Sequence, residues 1–385
     1  MSSHYFTRRD FIRGGTVSGV CAGMTSVTQA HTETKVKSRS EFLKTGIILG
    51  GGNHSQNMWA RLINAVPDVN NIPYTPRRTG MEITHVWAVI PGWAETFADT
   101  FGVKNVVKRF DDMIGEVDGL FIDAFFGTPY YYHLAKPYIE ANVPLFINRP
   151  LADSVGKAKD ITQLAKKHNT PIMTGSSFEF LESTMSVKNR YPFNTVKDFD
   201  SYNATSDFYS HGVHGLLFTY ACVGGNMEAV GHRTKSWIQG GGITDVVYKD
   251  RGDGPFMGKI HDYSTEKYLC AIKFRDSDQY YGFGQSDWDQ FMWIHMLQQA
   301  EIMFETGLMP HTHEQIVEKT AMFVAAFYSI LRENGDLVGL DDFDEDWEIG
   351  VPWGHSGNPS IEEQDGYRKL FGEEKGELRP DRTMG

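Results

Sequence analysis

Long apolar runs are missing from this sequence. None of its 385 residues lies in an apolar stretch near the ~20 that a helix needs to cross a bilayer. A helical membrane span is therefore excluded. Cysteine is scarce: Cys21, Cys222 and Cys270 are the only three, and none stands in a C-x-x-C spacing. That rules out a cysteine zinc site and a disulfide framework, and leaves open only a Cys222–Cys270 pair. Basic residues are in deficit, with 37 Lys and Arg against 49 Asp and Glu and a formal net charge of -12. Nucleic-acid partners need clustered Lys and Arg on the phosphates, so that class is excluded too. No internal repeat is present. What remains is 41% apolar and 22% charged, the composition of a globular chain. The length implies roughly two domains.

The organising stretch is 44–55, KTGIILGGGNHS. Gly46, Ile47, Ile48 and Leu49 read as a short buried strand, and Gly50, Gly51 and Gly52 as a turn. Met58, Trp59, Leu62, Ile63 and Val66 follow at helical spacing. Glycines between a strand and a helix let the backbone approach an anion, which the first N–H groups of the helix then bind. Gly50 and Gly52 fill the first two places of G-x-G-x-x-G, and Ser55 takes the third. Further strands are expected at 83–90, 106–107, 119–124, 144–147 and 171–174. Helices at 93–101, 131–139 and 155–165 alternate with them, and 67–80 reads as a loop insertion. Such alternation gives a doubly wound, mostly parallel sheet whose ligand lies at the carboxyl ends of the strands. The glycine turn, residues 126–129 and residues 148–150 then surround one crevice.

Beyond Ser176 the texture changes. Aromatic-rich strands are expected at 199–208, 228–237, 243–248, 266–274, 279–285 and 291–304, with helices at 213–221 and 314–331. This half reads as α+β with a largely antiparallel open sheet, so the whole chain is α/β followed by α+β. At the other end, residues 7–13 (TRRDFIR) resemble a twin-arginine export motif. They are followed by a mildly apolar stretch at 14–27 and a small-residue cleavage site at Thr28, Gln29 and Ala30. The expected organisation is a signal peptide at 1–30, a linker at 31–43, domains at 44–176 and 177–340, and an acidic tail at 341–385. The tail is poorly periodic and is expected to wrap another surface or to be partly mobile. The expected location is periplasmic or otherwise exported through the twin-arginine pathway, reached in the folded state.

Four segments together resemble the glucose–fructose oxidoreductase / inositol 2-dehydrogenase (Gfo/Idh/MocA) family. They are the glycine turn, then 117–122 (VDGLFI) with Thr128-Pro129 and His133. The third is 143–152 (VPLFINRPLA), and the fourth is Gly212-Val213-His214 with the helix after it. Their order and spacing agree with the family from about residue 44 to 340. The resemblance implies a Rossmann domain holding NAD or NADP and reversible hydride transfer at a sugar or cyclitol carbon. It also implies a second domain whose open sheet makes homo-oligomer contacts. Carried onto this sequence, the cofactor contacts are Gly50, Gly52, Asn53, His54, Ser55, Gly127, Thr128, Pro129, His133, Asn148, Arg149 and Pro150. The catalytic positions are His214, Arg149 and Ser210, with no metal.

The chain departs from the family where chemistry is done. Asn148-Arg149 replaces Glu-Lys, and an arginine stays protonated where a lysine of lowered pKa exchanges a proton. Arg149 remains suited to clamping a carboxylate, a phosphate or an oxyanion. Ser210 stands in the place of the family's Asp. His214 is retained, and an imidazole titrating near 6.5 suits proton transfer near neutrality. His211 makes a His-x-x-His pair with it, but no third ligand is evident. Residues 89–92 (VIPG) offer no carboxylate for the adenosine ribose. Tyr130, Tyr131, Tyr132, Trp288 and Trp293 are candidates either for stacking on sugar rings or for packing. Three readings follow: an exported polyol oxidoreductase, a glycoside-cleaving enzyme that returns its NAD unchanged, and a non-catalytic sugar-binding relative.

Overall fold

The first sheet is parallel because each of its strands is followed by a crossover that returns over one face. In the computed structural model its strands are β1 (Leu43–Leu49), β2 (Met81–Ala88), β3 (Asn105–Val106), β4 (Gly119–Asp123), β5 (Leu145–Asn148) and β6 (Ile172–Gly175). They lie in the order β3-β2-β1-β4-β5-β6, so the winding reverses between β1 and β4. The helices are α1 (His54–Asn64), α2 (Trp93–Phe101), α3 (Tyr131–Glu140) and α4 (Val155–His168). Local chemistry sets their ends. Gly102, at φ 68°, closes α2 through its N–H to Ala98 O, and the Ser154 hydroxyl accepts the Lys157 N–H to open α4. Ile47, Ile48 and Leu49 are fully buried, as a central strand covered on both faces requires.

The structure describes residues 42–50, 54–66, 77–204, 207–236, 238, 241–252, 254–285, 293–351, 360–373 and 375–378. The twin-arginine motif, Gly51, Gly52, Asn53, most of the expected insertion and Trp288 lie outside them. All described residues belong to one compact unit, Ser40–Gly385. Among them, no helix is long and apolar enough to cross a membrane.

The second half begins with α5 (Glu182–Arg190) and β7 (Val196–Ala204), then α6 (Val213–Val223), β8 (Met227–Thr234) and β9 (Gly242–Tyr248). β10 (Phe256–Phe274) is 19 residues long, and β11 (Tyr280–Gln285) follows it. The two legs of β10 flank β7. Lys259 to Asp262 pair with Asp200 to Asn203 in the same direction, whereas Leu269 to Ile272 pair with Tyr202 back to Phe199. With the legs counted separately the sheet is mixed but mostly antiparallel. Its order is β11, second leg, β7, first leg, β9, β8, β12 (Val338–Gly339). Cys222 and Cys270 are buried free thiols, so the pairing left open by the sequence is not made.

Two expectations need correction. Residues 291–304 were expected as a strand; the segment is helix α7 (Ile294–Thr306). Its buried residues, Met296, Leu297, Ala300, Met303 and Phe304, recur every three to four positions, which is a helical period. α7 lies against the first sheet. The Phe304 ring is 5.2 Å from that of Phe121, and a Cβ on Gly119 would stand 2.5 Å from it. Helix α8 (His313–Arg332) follows, opened by a capping box of Thr312 and Gln315.

The second correction concerns the tail, which carries a further helix, α9 (Ser360–Phe371). Both flanks of α9 are anchored. Ile349 N–H donates to Asp153 O at 2.9 Å, and Leu378 N–H donates to Ile349 O at 2.7 Å. Arg332 Nε and Trp347 Nε1 each donate to Glu377 at 3.0 Å. Gly350 and Gly376 cross so closely that neither leaves room for a side chain. The described residues on either side of α9, Ile349–Gly350 and Gly376–Leu378, therefore meet at a single pinch.

Candidate active site

Asn148 ends β5, and its side chain donates to Asp123 Oδ1 at 2.5 Å while its Oδ1 accepts Arg149 N–H at 2.9 Å. This arrangement aims Arg149 away from the sheet toward α6. Arg149 Nη2 donates to His214 Nε2 at 2.6 Å. With that lone pair engaged, the ring proton sits on Nδ1 and donates to Ser176 Oγ at 2.6 Å. Phe178 and Tyr268, stacked at 3.8 Å, stand edge-on beside the imidazole. His214 is 7% exposed; burial first, and then the charges of Arg149 and His211, hold its pKa well below the usual 6.5. Burial also lowers the Arg149 pKa, opposed by the charges of Asp123 and Asp207 among others. The pair is thus a fixed cation on a neutral imidazole, suited to holding an anion rather than moving a proton.

One turn earlier, Asp207 caps a short π-helical segment, Phe208–Gly212. Asp207 Oδ1 accepts the Ser210 N–H at 2.6 Å, and its Oδ2 accepts from the Ser210 hydroxyl. His211 Nδ1 lies 3.0 Å from Asp207 Oδ2. Burial raises the Asp207 carboxyl, but its bonds from His211 and Ser210 outweigh that and leave it below its ordinary value. The His211 side chain is 35% exposed. A carboxylate bonded to a solvent-reached imidazole is the arrangement general acid–base chemistry uses.

Sequence reasoning missed Ser176 and Asp207, although both had signals. Ser176 follows β6 at its carboxyl end and makes an S-x-x-E capping box with Glu179. Asp207 stands four residues before His211, but the expected strand 199–208 had absorbed it. The structure brings Arg149, Asn148 and His214 together. It places Ser210 on Asp207, and no group of three His, Cys, Asp or Glu among the described residues is placed to hold a metal.

The cofactor positions border the winding reversal, at the carboxyl ends of β1, β2 and β4. His54 and Ser55 open α1. Gly127, Thr128 and Pro129 lie in a 3-10 turn (Phe125–Tyr130) after β4, and Gly50 N–H donates to Asp123 O at 2.9 Å. This frame has the bare backbone a dinucleotide needs, but α9 fills it. A Cβ on Gly50 would clash with the Glu363 carboxyl group, and a Cβ on Gly127 would stand 2.6 Å from the Tyr367 ring. Tyr367 stacks on Tyr130 at 5.5 Å, Phe371 stacks on His133 at 5.1 Å, and Tyr130 Oη donates to Gly372 O at 3.1 Å. While α9 is seated, its Glu363 and Tyr367 side chains occupy the space beside Gly50 and Gly127. Tyr130 packs on this helix, and Tyr131 and Trp293 are buried, so packing accounts for three of the aromatic candidates.

Residues 44–176 match the family described as the GFO_IDH_MocA oxidoreductase family, NAD-binding Rossmann fold. No curated protein matches the chain. Among solved structures, the fold is similar to a scyllo-inositol dehydrogenase from Lactobacillus casei with bound NAD(H) and scyllo-inositol. The identity is 13%, the TM-score 0.61, and the match covers 78% of this chain and 99% of that one. A myo-inositol 2-dehydrogenase from Lactobacillus plantarum is similar at the same 13%, 0.61, 78% and 99%. A probable dehydrogenase from Thermotoga maritima is similar at 12% identity, with a TM-score of 0.61 and coverage of 78% and 99%. At these identities the likeness is one of fold. Residues 44–176 of this chain thus match the NAD-binding Rossmann domain of the Gfo/Idh/MocA oxidoreductase family.

Proposed function

We propose that the protein is a nicotinamide-dependent oxidoreductase acting on a hydroxyl of a sugar, cyclitol or related polyol. The observation that carries this reading is the 2.6 Å contact between Arg149 and His214, which joins two family segments in one centre. A nicotinamide, when bound, supplies the hydride acceptor. The chain's own residues do the rest. Arg149, held by His214 and Asn148, fixes an oxygen of the substrate. His211, oriented by Asp207, takes the hydroxyl proton. Proton transfer is assigned to His211 rather than His214 because the His214 lone pair is already engaged by Arg149. Inositol chemistry in the similar Lactobacillus casei protein supports a cyclitol as the first substrate to test.

The test is to assay purified protein for bound NAD or NADP by mass after denaturation, and then to screen cyclitols and sugars for reduced cofactor. His211→Asn is expected to lower turnover by about a hundredfold or more, with little change in substrate KM. Unchanged turnover in that variant sinks the proton-transfer assignment. Cleavage of a glycoside with no net reduced cofactor indicates the glycoside-cleaving chemistry instead. The seated α9 favours a second reading, a sugar-binding relative that never takes up cofactor; ligand binding with neither nucleotide nor turnover is its signature.

Export and assembly complete the proposal. Residues 7–13 carry the twin-arginine pattern, and a fusion of residues 1–43 to a reporter is expected to reach the periplasm only through that pathway. Tyr202, Leu269, Tyr280 and Tyr281 are exposed on β7, β10 and β11. We propose that they form a contact between copies, to be checked by the mass of the protein in solution.

A further inference from the structure

We infer that α9 exchanges with the dinucleotide: the chain carries its own occupant of the cofactor crevice, and loading requires that helix to leave. The inference rests on the dinucleotide reading above and concerns how that site is regulated.

The helix lies where the general rule for wound sheets puts the ligand, outside the carboxyl ends at the reversal of winding. It touches three of those ends at once. Glu363 meets Gly50 after β1, Gly366 meets Val89 after β2, and Tyr367 meets Gly127 after β4. Glu363 puts a carboxylate at the glycine expected to face a pyrophosphate. A pyrophosphate oxygen cannot share that place with the Glu363 carboxyl group, so the competition is steric.

The seat is shaped to the helix. A Cβ on Gly366 would stand 2.5 Å from Val89 Cγ2, so with valine at 89 only glycine lets α9 lie this close. Val89 is itself part of the stretch that lacks the ribose-binding carboxylate, and its apolar side chain suits a helix better than a sugar. Trp87, Phe110, Tyr130 and His133 face Tyr367 and Phe371 and close the seat with aromatic rings. Glu363 and Tyr367 are fully buried.

The pinch between Ile349 and Leu378 makes exchange practicable. A helix tethered on both sides returns at the high effective concentration of an intramolecular ligand, while its anchors at Asp153, Arg332 and Trp347 stay in place. The apparent dissociation constant of the dinucleotide is then the intrinsic one divided by the fraction of molecules with α9 away.

The experiment uses the full chain with NAD and NADP as titrants. Tyr367→Ala removes the ring that fills the seat and is expected to tighten dinucleotide binding at least tenfold. A second protein, Val89→Cys with Gly366→Cys, ties the helix down by a disulfide. Oxidised, it is expected to lose binding, and a thiol reductant is expected to restore it in the same sample. Saturating dinucleotide is expected to remove the amide-exchange protection of residues 362–371 in the parent chain. If the oxidised and reduced pair bind alike, or protection of α9 is unchanged at saturation, the exchange is overturned while dinucleotide binding stands. If no form binds, including Tyr367→Ala and the reduced pair, the dinucleotide reading falls and the exchange with it.

Discussion

His214 shows what burial does to a single residue. Its imidazole stays neutral because a charged ring would sit beside the Arg149 guanidinium without water. In the unfolded chain the same ring takes a proton below about pH 6.5. Between its lowered folded pKa and 6.5 the unfolded state therefore binds one more proton, and stability from this group falls as the pH falls. The parent chain is expected to lose about 1.4 kcal/mol per pH unit through this histidine in that window. His214→Asn lacks that contribution, whatever its absolute stability. Urea unfolding of both proteins from pH 7 downward measures the difference in slope, and parallel curves would show that His214 titrates normally in the native state. His232 and Asp262, 3.7 Å apart, do not confuse the comparison. Burial pushes the histidine down to about 3 and the carboxyl up to about 7, so this pair is unchanged between the two proteins.

At the scale of elements, α7 is the test of how packing reads a sequence. Phe304 lies flat against the missing side chain of Gly119 on β4. Gly119→Ala is expected to cost about 1–3 kcal/mol by overpacking, and Phe304→Leu in the same chain is expected to return part of that loss. Urea midpoints of the two single variants and the double variant give the coupling; additive effects would mean that ring and glycine do not meet. The same element marks where the sequence was hard to read. The strands and helices of 44–176 were legible because buried parallel strands are short apolar runs between glycine and proline stops. Residues 291–304 were misread because their aromatic density resembles a strand, although the spacing from Met296 to Phe304 is helical. α9 was missed for the opposite reason: Tyr367 is the one fully buried aromatic in a polar segment. Its start was still written in Ser360-x-x-Glu363, with acidic residues in the first turn and Arg368 and Lys369 in the last. The Arg149–His214 centre was legible from motif order, whereas Asp207 and Ser176 became visible only when the chain folded around them.

At the scale of the whole molecule, the two halves share their cores. One buried cluster joins Trp59 of α1 and Phe121 and Phe146 of the first sheet to Phe304, Phe323 and Phe327 of the later helices. A second joins Ile122 and Ile147 to Ile316 of α8 and Tyr367 of α9. Polar contacts also cross between the halves. Lys319, on α8, donates to Thr174 O at 3.1 Å and to Glu179 at 2.8 Å, and Gly80 N–H donates to Glu301 Oε2 at 3.0 Å. A fragment spanning residues 42–181 has every strand of the parallel sheet but none of these covers. Each large apolar side chain uncovered forfeits about 1.5–3 kcal/mol, against a total stability of about 5–15 kcal/mol for an ordinary domain. Uncovering Phe121, Phe146 and their neighbours is therefore enough to remove the native state. The fragment is expected to bind a hydrophobic dye, lack near-ultraviolet dichroism and melt without a sigmoidal transition. Residues 42–378 are expected to unfold in one step, with tryptophan fluorescence and far-ultraviolet dichroism changing together. A fragment that unfolds cooperatively with native dichroism would show instead that the Rossmann domain is self-sufficient, and that α7 and α8 only dock upon it.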